Sequence, residues 1–385
     1  MINVISSEQK PIKSWVSDIE NGALDQAKNL ANLPFAFKHV ALMPDAHQGY
    51  GMPIGGVLAT KGVIIPNAVG VDIGCGMCAV KTSHEGIERE TLKKIMGGIR
   101  EVVPVGFDHQ KQKQDVSLMP EVKEEMLIVG RQSEAALKQL GTLGGGNHFI
   151  EIQKGDDGHV WVMIHSGSRN FGLQVAKHYN ELAVKINERW HSLIPTKWEL
   201  AFFPIETKEG RDYINEMSYC VEFALANRKL MMENIKNVIS SVAGGSFDPM
   251  INIAHNYATM ENHFGENVMI HRKGATKANV GLVGIIPGSQ GTKSYIVEGL
   301  GNPESFNSCS HGAGRRMGRK QAQRELNLES EIKRLDDQGI VHGIRSQGDL
   351  DEAAGAYKDI NVVMDNQKDL VKKLVELTPM GVIKG

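Results

Sequence analysis

Short apolar runs that break directly into glycine-rich or polar segments recur along this chain and restrict what it can fold into. HVALM (39–43), GGVLAT (55–60), GVIIP (62–66), VWVMIH (160–165) and NVMIH (267–271) each hold five or six residues and read as strands. Chemically active side chains then fall on loops at strand ends, where a rigid sheet holds them and a ligand can reach them. Glycine is the compositional outlier, at 42 of 385 residues. The glycines crowd around histidines, where bare backbone lets a ligand approach closely. Helical periodicity is clearest over 173–190 and over 212–242, which glycines at 244–245 close; weaker helices are predicted at 314–327 and 366–377. Strands and helices mix without regular alternation, so the expected class is α+β. Candidate site residues scatter from 45 to 384, which predicts a single large compact domain over 1–385, with mixed or antiparallel sheets flanked by helices.

Charge narrows the partners. With 43 Lys+Arg against 45 Asp+Glu the net charge is −2, so any phosphate-binding surface must be a local patch. Four cysteines give no secretory spacing, the N-terminus has no apolar signal segment, and no apolar run is long enough to span a membrane. The expected address is a reducing cytoplasm.

The chemistry is read from loops. In VGVDIGCGMCAV (69–80), Asp72 and Cys75 sit three apart in a glycine-bent turn, a mixed hard and soft donor pair suited to Mn, Fe or Zn. Cys75-x-x-Cys78 also reads as half a zinc ribbon, a redox pair or a buried structural pair. LGTLGGGNHFIE (140–151) has P-loop-like glycine spacing, but Asn147-His148 replaces the required Lys-Ser/Thr. His148 is either a ligand or a turn histidine, and Glu151 could accept from a nucleobase edge. VMIHSGSRNFG (162–172) ends a strand in His165, a metal-ligand position, with Arg169 placed for phosphate. His255 follows a short apolar run; His263, eight later, does not share helical ligand spacing with it. GIIPGSQGTKSYIV (284–297) offers Ser289 and Ser294 to a phosphate or ribose, or is a plain hairpin.

Together Asp72, Cys75, His148, His165 and His255 form a first-row metal set, and five donors with a bridging thiolate suit two ions better than one. That leaves His311, in NSCSHGAGRRMGRK (307–320), among small residues and ahead of arginines. An imidazole stripped of bulky neighbours and backed by cations suits a nucleophile toward phosphorus. Arg169, Arg272, Lys273, Arg315, Arg316 and Arg319 are candidates for a nucleic-acid track, with a solvated charged face as the alternative for Arg316 and Arg319.

Ten ordered segments resemble the RtcB family of RNA ligases: MPDAHQGYG, AVGVDIGCGM, LGTLGGGNHFIE, IHSGSR, HNY, RKGA, GIIPGSQG, GLGNPESFNSCSHGAGR, AYKDI and the terminal KG. They run from about residue 38 to 385. The resemblance implies that family's own α+β fold. It also implies a GTP-dependent ligase with two Mn2+ ions, joining RNA 2′,3′-cyclic phosphate or 3′-phosphate ends to 5′-hydroxyl ends in splicing or repair. It places the guanylylated histidine on His311. The metal ligands fall on Asp72, Cys75, His148, His165 and His255, with Cys75 bridging. The guanylate contacts fall on Asn147, His148, Phe149, Ile150, Glu151, His255, Asn256, Pro287, Gly288, Ser289, Gln290, Ser294, His311, Gly312, Ala313, Gly314 and Lys384. Of the basic residues, Arg169 and Arg315 are the foremost candidates for RNA contacts. The C-terminal lysine would reach the guanine, so the tail should be ordered. Gln290 departs from the Met of the family pattern, and Cys78 is not a ligand position. Partners are then RNA ends and GTP, with an accessory activating protein as a further candidate and no membrane. A metal-dependent phosphoesterase acting on RNA cyclic-phosphate ends is the alternative.

Overall fold

The computed structural model describes residues 1–385 and is α+β. Two large sheets carry it. The first has six strands in the order Asn3–Ile5, Ile12–Ser14, Ala36–His47, Ile54–Thr60, Glu266–Lys273, Asn256–His263. The second has seven: Ile251–Ala254, Gly76–Lys81, Val160–Ser166, Phe149–Gly155, Val371–Lys384, Ser294–Gly299, Val283–Ile286. Every pairing in them is antiparallel except that of Ile12–Ser14 with Ala36–His47.

The run VWVMIH is unbroken because its strand, in the second sheet, is buried on both faces. Cys78, Val80, Ile150, Ile152, Val162 and Ile164 pack against Ile95, Ile99, Met231, Met232 and Ile235 of helices Arg89–Val102 and Lys208–Ala243. Met77, Ala79, Trp161 and Met163 pack on the opposite side with Ile285, Ile296 and Leu377. Strand alternation therefore puts Phe149, Glu151 and His165 on the face away from the helices. This is the face from which the cleft is built.

Two predicted helices come out differently. The 366–377 segment is largely strand, Val371–Lys384, paired on one side with Ser294–Gly299 and on the other with Phe149–Gly155. Its apolar spacing (Val371, Leu374, Val375) mimics a helix, but Pro379 and Gly381 break helices and two waiting sheet edges satisfy its backbone groups. The 314–327 segment is helical only over Arg319–Glu325; before it, Gly314 at φ +75° turns the chain. Of GVIIP, only Val63–Ile64 is strand. The helices predicted at 173–190 and 212–242 extend over Asn170–Arg189 and Lys208–Ala243.

One proposed basic contact is structural. Arg272 is fully buried, with its guanidinium donating to both carboxylate oxygens of Glu261 at 2.6 and 3.1 Å, so it is closed to any nucleic acid. Removing Glu261 would strand that charge, so Glu261→Gln is expected to cost about 3–5 kcal/mol in chemical denaturation. Burial raises the Glu261 carboxyl, but His263 and Arg272 hold it well below the usual carboxylate value of 4.5. A depressed folded value means this stabilisation is present above about pH 4.5 and lost as pH falls below it. The pH dependence of the unfolding midpoint checks the sign, and Glu261→Gln should flatten it.

Candidate active site

The turn after Val71 is pressed against the long helix. Gly74 has φ +76°, and a Cβ there would come 2.8 Å from Cα of Val221 and 2.9 Å from the Cys220 carbonyl. Only glycine fits, and the tight turn lets Asp72 and Cys75 converge. Around them two donor triads form that share one thiol: Asp72, Cys75 and His148, and Cys75, His165 and His255, with the donor atoms of each triad within 4.8 Å of one another. Sγ of Cys75 lies 3.5 Å from Nε2 of His148 and 3.2 Å from Nε2 of His165. His148 Nε2 is 3.1 Å from Oδ2 of Asp72, and His165 Nε2 faces His255 Nε2 at 3.3 Å.

The donor set fits cations. His148 and His165 each turn Nδ1 to a backbone carbonyl, of Leu143 and Asn147, both at 2.9 Å, which orients Nε2 into the centre. Burial pushes the His165 imidazole down to about 3 and the His255 imidazole well below its ordinary value, so both are neutral and present lone pairs. Soft thiolate, imidazole and one carboxylate together suit a first-row divalent ion. Cys78, on strand Gly76–Lys81, is fully buried against the helices and belongs to neither triad.

His311 belongs to neither triad. It follows strand Ser308–Ser310, which pairs with Ala275–Lys277, and its ring centroid lies 4.8 Å from that of His255. Its Nδ1 is 2.6 Å from Oδ2 of Asp45, a fully buried carboxylate at the end of Ala36–His47. That contact is close but off the line of a hydrogen bond; the same oxygen accepts the backbone N–H of His311 at 3.1 Å and of Gly312 at 3.3 Å. A Cβ on Gly314 would meet the Asp45 carbonyl at 2.3 Å, so the glycines also let this loop close over the acid. Nδ1 thus sits beside the Asp45 carboxylate, and the ring lines the cleft with its other nitrogen, Nε2, on the side away from that acid.

These groups line a cleft of about 850 Å³. Asp72, Cys75, His165, His255 and His311 reach it, together with Asn147, Phe149, Glu151, Asn256, the 287–290 turn, the 312–315 loop and Lys384. His148 lies beneath, within its triad. Of the expected guanylate contacts, Ile150 and Ser294 do not reach the cleft either. Ile150 faces the helices, because strand alternation sends it opposite to Phe149 and Glu151. Ser294 stands behind the turn, its hydroxyl accepting from the Gly288 N–H at 3.1 Å and from Gln153 at 3.1 Å. Burial raises the Glu151 carboxyl to about 8, so at neutral pH it is mostly protonated and can donate. The C-terminus is a strand end: Lys384 pairs with Phe149, and its ammonium donates to the Gly146 carbonyl.

The arginines divide. Arg169 does not line the cleft; it donates to Thr142 and to the Gly106 carbonyl, each at 3.0 Å, bracing the glycine-rich loop. Arg315 and Arg319 both line the cleft, tied to the buried Glu352 at 2.5 and 2.7 Å. Lys273 lines it too, its ammonium on the carbonyls of Tyr50 and Asn67, and burial pushes it down to about 7. Asp45, Glu352 and Tyr357 belong to the site without any local motif that marks them as functional. A lone acid ending the apolar run HVALMP was the one available signal for Asp45.

Comparison with known proteins is in keeping with this geometry. The profile of a family described as "tRNA-splicing ligase RtcB" matches residues 26–385. The chain is 39% identical to the "RNA-splicing ligase RtcB" of Escherichia coli K12, over 99% of both chains. It is 32% identical to the "tRNA-splicing ligase RtcB" of Thermococcus kodakarensis, over 95% of this chain and 92% of the relative. The "RNA-splicing ligase RtcB" of Mycobacterium tuberculosis is also 32% identical, over 94% of this chain and all of the relative.

Proposed function

The chain belongs to the RtcB family of RNA-splicing ligases, and on that premise we propose that it is an RNA ligase that seals 3′-phosphate or 2′,3′-cyclic phosphate ends to 5′-hydroxyl ends through a guanylylated His311. Residues 1–385 would act as one catalytic domain, since both large sheets contribute to a cleft lined by residues from Glu20 to Lys384. The observation that carries the reading is the division of labour among the histidines. Three stand in two triads joined at Cys75, while the fourth belongs to neither and lies beside Asp45, which anchors the backbone of its loop.

Asp72, Cys75 and His148 would hold one Mn2+ ion, and Cys75, His165 and His255 the other. When bound, the pair supplies positive charge against which phosphate oxygens are drawn and phosphoryl charge is offset. The chain's own groups do the rest. Nε2 of His311 attacks the α-phosphorus of GTP; the P–N bond forms as the bond to the β-phosphate oxygen breaks, releasing pyrophosphate. Asp45 orients the ring and stabilises the cation that develops on it. Lys384 and the protonated Glu151 supply donors to the guanine, and the 287–290 turn cradles the sugar and phosphate. An oxygen of the RNA 3′-phosphate then takes the guanylyl group, with the P–N bond breaking. Attack of the 5′-hydroxyl on the RNA phosphorus releases GMP and closes the strand. A cyclic phosphate is first opened by water at the bond to O2′.

The test is incubation with Mn2+ and each of the four α-labelled nucleotides. The expected result is an acid-labile adduct with GTP alone. Turnover of cyclic-phosphate RNA ends with no adduct from any nucleotide would replace this reading by a phosphoesterase. Asp45→Asn keeps the shape beside His311 but removes the charge, and is expected to slow adduct formation by roughly 10²–10⁴-fold. Single-turnover kinetics with saturating GTP measures it.

A further inference from the structure

The long helix Lys208–Ala243 runs beneath the site, and one of its buried faces carries Ala224, Asn227, Arg228 and Met231 at i, i+3, i+4 and i+7. Apolar side chains belong there. Instead two adjacent polar ones are fully buried, and Arg228 forms no ion pair with any carboxylate. Asparagine is also a poor helix former in mid-helix. Such a pair is costly to bury unless every polar atom it offers is used, so the groups it bonds to indicate its role.

Its contacts supply one. Oδ1 of Asn227 accepts the N–H groups of Gly141 and Thr142 at 2.7 and 3.2 Å. Its Nδ2 donates to the carbonyls of Thr142 and Gly167 at 3.1 and 3.2 Å and to the Ser166 hydroxyl at 3.3 Å. That hydroxyl and Nδ1 of His148 share the Leu143 carbonyl. Arg228 donates from Nε to Oδ1 of Asn252 at 2.7 Å, and from Nη1 to the carbonyls of Gly74 at 3.0 Å and Ser166 at 2.7 Å. Gly74 lies between Asp72 and Cys75, Ser166 follows His165, and Asn252 lies on the strand that leads into His255. Every polar contact of the pair but one, the Gly167 carbonyl next to Ser166, thus goes to a residue within the loops and strands that present the five donors or directly beside one.

We propose that Asn227 and Arg228 are positioning residues for the paired-cation centre: one turn of one helix acts as the common anchor that sets the donors at their mutual distances. This rests on the reading of Asp72, Cys75, His148, His165 and His255 as ligands. Asn227 fixes the glycine-rich loop that carries His148, and Arg228 fixes the segments carrying the other four.

The test uses the full-length protein and Co2+, whose visible absorption and thiolate charge-transfer band report on the donor geometry. The parent is expected to bind two equivalents with a band that disappears in Cys75→Ala. Arg228→Met is expected to weaken both equivalents by roughly 10–100-fold and to shift the band. Asn227→Leu should weaken mainly the equivalent held with His148. Measurements are made well below each variant's unfolding midpoint, with far-ultraviolet circular dichroism confirming the fold. If Arg228→Met does not fold, Asn252→Ala, which removes one of the guanidinium's three acceptors, should give a smaller loss of the same kind. A parent that binds no Co2+ would overturn the ligand reading itself. A parent that binds two, with folded variants matching it in affinity and band, would overturn the positioning role alone.

Discussion

The His311→Ala protein, incubated with Mn2+ and α-labelled GTP, is expected to carry no covalent nucleotide while still binding the metal. The imidazole belongs to neither donor triad, so deleting it would remove the proposed nucleophile and leave both triads intact. Ligation should fall by at least roughly 10⁴-fold, the scale seen when the nucleophile of a covalent mechanism is deleted. Metal content measured on the same preparation separates the two roles. A surviving adduct would move the nucleophile elsewhere; a lost metal equivalent would make His311 a ligand.

Cys75→Ala should have the widest effect of any single substitution at the centre. Its sulfur is the one atom common to both triads, 3.5 Å from Nε2 of His148 and 3.2 Å from Nε2 of His165. Its loss leaves two donors on each side, Asp72 with His148 and His165 with His255, too few to hold a divalent ion against water. The expected result is loss of both equivalents in a metal titration, and with them adduct formation. His255→Ala, by contrast, should cost one equivalent and spare the other. Equal losses from both substitutions would mean that the two triads do not bind independently, and retention of both ions without the sulfur would remove the bridge from the scheme.

Both predictions turn on residues that stand out locally. Each of Cys75, His148, His165 and His311 lies beside glycines or at the end of an apolar run, so its chemistry is visible within about ten residues of chain. Asp45 is different. It acts on His311 across 266 positions, and nothing in its own neighbourhood says which loop its strand end will meet. Asn227 and Arg228 read as interruptions of a helical stripe, and only their contacts with four separate segments give them a role. Arg272 is closed to a phosphate and Arg169 braces the glycine-rich loop for the converse reason: a cation's type is legible, but the carboxylate or carbonyl it turns toward is not.

Local pattern determined the strand runs, the two long helices, the glycine-flanked donors and the α+β class, because side-chain period and backbone freedom are properties of neighbouring residues. Tertiary structure decided the rest. Val371–Lys384 became a strand because two sheet edges offered hydrogen bonds to a segment whose apolar spacing alone suggests a helix. Ile150 left the cleft because its strand's two faces meet different partners. The shared thiol, the acid behind His311 and the polar anchor in the long helix are contacts between distant segments, and their energies exist only once the chain has brought those segments together.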